Sequence, residues 1–121
     1  SPLSLVVRRG DTERVKLLLQ ESDADLNAVD TCGNTPLTYA VQHDCLDIVL
    51  QLLLLRGGVN VNAKDDCGRT PLIWAAQCGR VDAVEMLLNH GADANMGDRY
   101  SQTPLWWATM ANEEEVVKRL I

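Results

Sequence analysis

The sequence predicts an all-α repeat solenoid, in which a short helix, a turn, a longer helix and an extended loop stack four times. Three observations carry this. A six-residue phrase recurs as "SPLSLV" from Ser1, "TPLTYA" from Thr35, "TPLIWA" from Thr70 and "TPLWWA" from Thr103, at spacings of 34, 35 and 33 residues. All four prolines, Pro2, Pro36, Pro71 and Pro104, hold its second position. The segments between phrases share one order of apolar runs and glycines. A fixed period of about 20–50 residues marks stacked units, none of which can bury its apolar face alone.

The copy from Thr70 to Asn95, "TPLIWAAQCGRVDAVEMLLNHGADAN", shows how one unit is built. Thr70 is a good N-cap. Pro71 is a good first helical residue, because the N–H it lacks had no intrahelical partner. Ala75 and Ala76 are small, strong helix formers. Gly79 stops this first helix. Val81, Val84, Leu87 and Leu88 then give one apolar face of a second helix. Gly91 ends it, and "ADANMGDRYSQ" carries turn residues to the next cap.

Thr-Pro-Leu, the Ala-Ala pair, Gly79, the Val…Leu-Leu run, "GADAN" and "DDCGRTPL" from Asp65 to Leu72, in this order and joint spacing, resemble the ankyrin repeat family. The resemblance covers essentially the whole chain. It implies helix-turn-helix units joined by short β-hairpin loops, in a single ankyrin repeat domain over residues 1–121. The repeats fall at about 1–29 (truncated at its start), 30–64, 65–97 and 98–121 (truncated at its end). It also implies a protein-protein interaction scaffold, whose first helices and hairpin tips line a concave face that grips a partner protein or peptide. The chain departs from the family where a His follows Thr-Pro-Leu. Ser4, Thr38, Ile73 and Trp106 stand there, which alters a hydrogen bond across the repeat and is expected to lower stability. The hairpin glycine of Gly33 and Gly68 becomes Ser101, and the inter-helix glycine of Gly10 and Gly79 becomes Asp44 and Asn112. Asn and Asp tolerate left-handed backbone better than most residues, so these swaps are mild.

Composition excludes several classes of function. The formal charge is −6, whereas nucleic-acid affinity rests mostly on Lys and Arg neutralising phosphate. Arg8–Arg9 and Lys118–Arg119 are the only adjacent basic pairs, so there is no basic stripe for nucleic acid or for an acidic membrane surface. No apolar run approaches the roughly 20 residues a spanning helix requires. The first residues do not form a signal peptide. Cys32 and Cys67 occupy equivalent places in adjacent repeats, and Cys45 and Cys78 lie at other phases. Neighbouring repeats pack at about 8–10 Å, beyond the roughly 7 Å between Cα atoms that a disulfide permits. Four free thiols and an intracellular location, cytoplasmic or nuclear, are therefore expected.

No enzyme, cofactor or metal is expected. His43 and Cys45 are two apart and so lie on different helix faces. His90 sits at a helix end without an adjacent nucleophile. There is no Cys-x-x-Cys, phosphate-cradling Gly-Lys loop or Gly-x-Ser-x-Gly. Glu113–Glu115 start a helix, where the dipole favours negative charge.

The resemblance instead implies binding. On the ankyrin alignment the residue after the His-equivalent position points into the groove, and here it is Leu5, Tyr39, Trp74 or Trp107. Three of the five aromatic residues share this phase, and Tyr100 adds another on the last hairpin. The next residue, Ala40, Ala75 or Ala108, suits close helix packing, and its predecessor lies about 100° around the helix, beside that seam. Aligned repeats would set the rings in a row of interface anchors; the alternative, that they are core, stays open. Trp106 is expected to pack on a neighbouring loop and to be the more shielded of the adjacent pair. Gln42 and Gln77 share the phase one turn on, and His43 and Cys78 the next. Lys64, Asp66, Arg69, Arg99 and Gln102 lie on hairpins. The expected partner-binding set is Tyr39, Trp74, Trp107, Tyr100, Gln42, Gln77, His43, Arg69 and Arg99. Asn27, Asn62 and Asn95, each eight residues before a phrase, are expected to bond the hairpin backbone; family members can be hydroxylated there.

The alternative function is a regulatory or structural segment of a longer signalling or adaptor protein, packed on further repeats or a neighbouring domain. Terminal repeats normally carry polar caps, yet the first unit shows Leu3, Leu5, Val6 and Val7 and the last ends in "RLI". Self-association through these ends is expected. The two extra residues in "LLLLRGG" should lengthen a helix or bulge its loop and leave the stacking intact. Leu50, Leu54 and Leu55 replace Glu85, Asn89 and His90, so an apolar outer edge is expected there.

Overall fold

The computed structural model describes residues 2–21, 25–42 and 47–121. They form α1 (Pro2–Arg8), α2 (Thr12–Leu19), α3 (Pro36–Gln42), α4 (Asp47–Arg56), α5 (Pro71–Gln77), α6 (Val81–Asn89), α7 (Pro104–Met110) and α8 (Glu114–Leu120). The odd-numbered helices pack on one another in sequence, as do the even-numbered ones, and each odd helix packs on the helix that follows it. The result is a two-layer stack of helix pairs. Thr70 and Thr103 cap α5 and α7 by accepting from the N–H groups of Ile73 and Trp106, both at 3.2 Å, with proline next in the chain. Thr35 does the same for Thr38 at 3.2 Å.

Small residues let the first layer close up: Ala40, Ala75, Ala76 and Ala108 are fully buried. Leu37 and Leu72 from that layer meet Val15, Leu50, Leu53, Val84, Leu87 and Val116 from the second in one continuous core. Each such aliphatic side chain contributes about 1.5–3 kcal/mol on burial. α3, flanked on both sides, buries six of its seven residues, whereas α7 buries only Pro104 and Ala108.

The described loops contain tight turns, and no strand occurs among the described residues. In the third unit Asp65 N–H donates to Arg69 O (3.0 Å) and Gly68 N–H to Asp65 O (2.9 Å). Asp44, like His43 and Cys45, lies outside the described residues. Ser101 and Asn112 do adopt left-handed backbone, with φ of 61° and 59°.

The extra residues leave the stacking intact: α4 packs on both α2 and α6. Its last residue lies 21 beyond Thr35, against 19 from Thr70 to the end of α6. Gly57 and Gly58, both at positive φ, then turn the chain. The expected apolar edge is not there. Leu50 and Leu54 are core residues, and Leu55 alone of the three is exposed, at 69%. Leu50, Leu53 and Leu54 share one helical face and Leu55 falls off it.

The asparagines do more than expected. Asn27 Nδ2 donates to Gly58 O (2.9 Å) while its Oδ1 accepts from Asn60 N–H (2.7 Å), and Asn62 Oδ1 accepts from Asp93 N–H (2.8 Å). They tie each loop to the loop of the next unit rather than only closing their own. Asn62→Ala is expected to cost about 0.5–1.5 kcal/mol in urea unfolding, the net range for one hydrogen bond. Asn95→Ala, with no later loop of this sequence to hold, should change stability by less than about 0.5 kcal/mol, as a surface substitution does. Equal losses would contradict the inter-unit role. Arginine ties a second layer of contacts: Arg56 Nε donates to Leu19 O (2.8 Å), and Arg80 Nη1 to Val41 O (2.5 Å). Each places a cation on helix-end carbonyls one unit earlier, the favoured sign for that dipole.

Cys32, Cys67 and Cys78 are exposed, and Cys32 and Cys67 are free thiols. All three are expected to react with a thiol reagent in the native chain, with four titrating on unfolding without reductant. Recovery of only two would show a disulfide.

Candidate partner-binding face

Each hairpin carries an aspartate five residues before its Thr cap: Asp30, Asp65 and Asp98. In a tight turn this carboxylate folds back on its own backbone. One oxygen accepts from the N–H groups two and four residues on. These are Cys32 (2.9 Å) and Asn34 (3.0 Å), Cys67 (2.9 Å) and Arg69 (3.0 Å), and Tyr100 (2.9 Å) and Gln102 (3.0 Å). The other oxygen takes the polar tip of the ring nine residues on: the Tyr39 hydroxyl, Trp74 Nε1 (2.9 Å) and Trp107 Nε1 (3.0 Å). One aspartate per unit thus fixes both the turn and the orientation of an aromatic ring on the following helix. Sequence reasoning passed over these residues, although their spacing to Thr-Pro-Leu was as regular as that of the rings.

Asp98 shows the electrostatic balance. Burial by itself raises its carboxyl, but the N–H groups of Gln102 and Tyr100, the Trp107 indole and the Arg69 charge together hold it below its ordinary value. Carboxylates that accept two or three N–H bonds are stabilised in the charged form.

Cations lie over the rings. Arg8 Cζ is 4.9 Å from the Tyr39 ring centroid. Arg69 Cζ lies over two rings at once, 4.9 Å from Trp74 and 4.4 Å from Trp107, and its Nη1 donates to Gln77 Oε1 (2.9 Å). Such contacts are worth about 0.5–2 kcal/mol each. Trp107 and Arg69 then join Asp98, Arg99, Tyr100 and Gln102 around an open cleft of about 240 Å³.

The structure therefore brings Trp74, Trp107, Arg69, Gln77, Arg99 and Tyr100 into one neighbourhood. Trp74, Trp107 and Gln77 are half-buried, and Arg99 and Tyr100 are exposed. Tyr39 stands apart, buried at 8% exposure beneath Arg8. Gln42 is half-buried, Lys64 and Asp66 are exposed, and Cys78 is exposed. Trp106 reverses the expectation: it is 40% exposed, whereas Trp107 is half-buried. In earlier units the same position, Thr38 or Ile73, is covered by the next helix of the first layer, leaving 1% and 0% exposed. α7 is the last helix of that layer. Trp106 meets Trp107 edge to face, 5.2 Å between centroids.

Helix pairs stacked on a repeating phrase, with ring and hairpin side chains presented along one layer, define a helical repeat protein. The family description "Ankyrin repeats (3 copies)" matches residues 1–65 and 49–121, and the chain belongs to the ankyrin repeat family. Ankyrin repeats are generally protein-protein interaction modules, typically without catalytic activity. No curated protein sequence matches the chain. Among the described residues, no group of three or more His, Cys, Asp or Glu could hold a metal ion, and no helix is long and apolar enough to cross a membrane.

Proposed function

We propose that this chain is one ankyrin domain of four repeats that binds a protein or peptide partner across the face made by the first-layer helices and the hairpin tips. Trp74, Trp107, Arg69 and Tyr100 serve as anchors. The observation that carries this reading is the Arg69 contact with both indoles, whose Nε1 atoms are already tethered by Asp65 and Asp98. Side chains fixed before binding lose little freedom on association. Tyr39, buried and tethered, supports the row rather than contacting the partner directly. Exposed thiols suit a reducing interior, cytoplasmic or nuclear.

The test starts from a random peptide library selected on the whole chain. A Trp can bury on the order of 200 Å², an upper bound of about 5 kcal/mol at ~25 cal/mol/Å² before ordering costs. Trp74→Ala and Trp107→Ala are expected to weaken selected peptides about 10- to 100-fold, within that bound. If the peptides ignore both substitutions, the face is wrong.

A second reading, packing against further repeats or a neighbouring domain, is favoured by the last helix pair. Trp106, Met110 and Ile121 are 40%, 66% and 84% exposed there, whereas at the other end Leu5 is 47% exposed and Leu3 and Val7 are buried. Sedimentation is expected to show concentration-dependent association that Trp106→Ser together with Met110→Ser abolishes. A strict monomer at high concentration would count against it.

A further inference from the structure

We propose that the cleft between the third and fourth hairpins reads a carboxylate, an Asp or Glu side chain of the bound peptide, through Arg69 and Arg99. This rests on the partner-binding reading above and adds the chemistry of the partner.

Arg69 is placed for this task. Its guanidinium lies over the Trp74 and Trp107 rings, and among the described residues the hydrogen bond it donates goes to Gln77 Oε1. A guanidinium carries five N–H donors in a planar fork that matches a carboxylate. Contact with the rings leaves the edge of that fork as the way to use the remaining donors. Arg99 lines the same cleft, is exposed, and donates Nη2 to Asp66 O.

The acids nearby do not take the place of a partner's carboxylate. Both oxygens of Asp98 are engaged, one by the Tyr100 and Gln102 N–H groups and the other by Trp107 Nε1. The Arg69 charge acts on this carboxylate through space and helps hold it ionised. The Asp66 carboxylate leans back over the previous hairpin, its Oδ1 2.6 Å from where a Cβ on Gly33 would stand.

Size and net charge narrow the ligand. At about 240 Å³ the cleft is smaller than the usual range for small-molecule sites, roughly 300–1,000 Å³, and suits one side chain. Tyr100, 74% exposed, offers a ring for the flanking peptide. The chain carries −6, which repels a long acidic run. The expected ligand is one carboxylate among neutral or aromatic residues, bound more weakly as salt rises.

The test uses the peptides selected above on the whole chain, with Glu, Gln or phosphoserine at each acidic position, followed by tryptophan emission. One acidic position is expected, at which Glu→Gln weakens binding at least tenfold. Arg69→Met, which keeps the stem against the rings, should cut that ratio to less than threefold. Arg99→Ala, on the rim, should lower it about threefold and serves if Arg69→Met does not fold, as judged by circular dichroism. Selected peptides that need Trp74 and Trp107 but show no Glu preference, or a preference untouched by Arg69→Met and Arg99→Ala, would overturn the carboxylate and leave the binding face standing. Phosphoserine binding tenfold tighter than Glu would overturn it in favour of phosphate. Peptides indifferent to both tryptophans, or no selected peptide at all, would overturn both readings.

Discussion

Gly68→Ala is expected to lower the unfolding free energy by about 2–5 kcal/mol, while Gly57→Ala costs about 1–2 kcal/mol, although both glycines sit in left-handed backbone. Their φ values are 76° and 77°. Both alanines meet the same conformational penalty of about 1–2 kcal/mol, the strain of L residues in that region. What separates them is the neighbour. A Cβ at Gly68 would stand 2.7 Å from Arg99 N and 3.3 Å from the Asp98 carbonyl carbon, whereas at Gly57 nothing lies within 4 Å. Both colliding atoms are backbone and belong to the next hairpin, so relief means moving Asp98 and the ring it holds. Forcing extra atoms into a packed site adds about 1–3 kcal/mol. Ser101 holds the equivalent place in the last hairpin with φ of 61°. No later hairpin of this sequence lies over it, so only the conformational penalty applies. Thermal unfolding should put Gly68→Ala about 10 °C below the parent, at roughly 3–6 °C per kcal/mol for this size. A loss no larger than that of Gly57→Ala would show that hairpin stacking is not as tight as described.

The periodic part of this molecule was legible because it is local. A Thr cap, a Pro at the first helical position and a Gly at the turn are decided within a few residues, so the fold class could be read from the phrase. Phase also placed Tyr39, Trp74 and Trp107 at equivalent points. What phase could not supply was the environment of each copy. Thr38 and Trp106 share one position, yet one is covered and the other is not, because a following unit packs on the first. Tyr39 shares its phase with Trp74, but Arg8 and flanking helices bury it. The Asn bonds to the next loop cross 31 to 33 residues, and nothing local announces them. The aspartate clamp was readable in principle. Asp30, Asp65 and Asp98 precede the rings by a constant nine residues, but the eye falls on Asp66, Arg69 and the aromatics, which look like contact residues.

That clamp sets the remaining expectation: Asp98→Asn should cost about 1–2 kcal/mol at neutral pH and little in acid, the lower part of the range for stranding a donor, since the indole is half-buried. The substitution preserves shape and removes charge. One amide oxygen can still accept from Tyr100 and Gln102, but the amide NH₂ then faces Trp107 Nε1, donor against donor. Flipping the amide only moves the conflict onto the two backbone N–H groups. The carboxylate satisfies all three because both its ends accept. The pH dependence follows from linkage. Folded Asp98 titrates below its ordinary value, so between the folded and unfolded values the unfolded chain binds more protons. Its contribution is therefore complete above the unfolded value, about pH 4, and fades as pH falls through the depressed folded value. Parent and variant should differ most at pH 7 and converge below about pH 4, as measured by urea unfolding across that range. Trp107 emission should shift in the variant at pH 7, since its indole N–H loses an ionised partner, while Trp74, held by Asp65, should not respond. A stability gap that stays constant from pH 7 into acid would mean that Asp98 acts by shape alone, and that charge plays no part in holding the ring against Arg69.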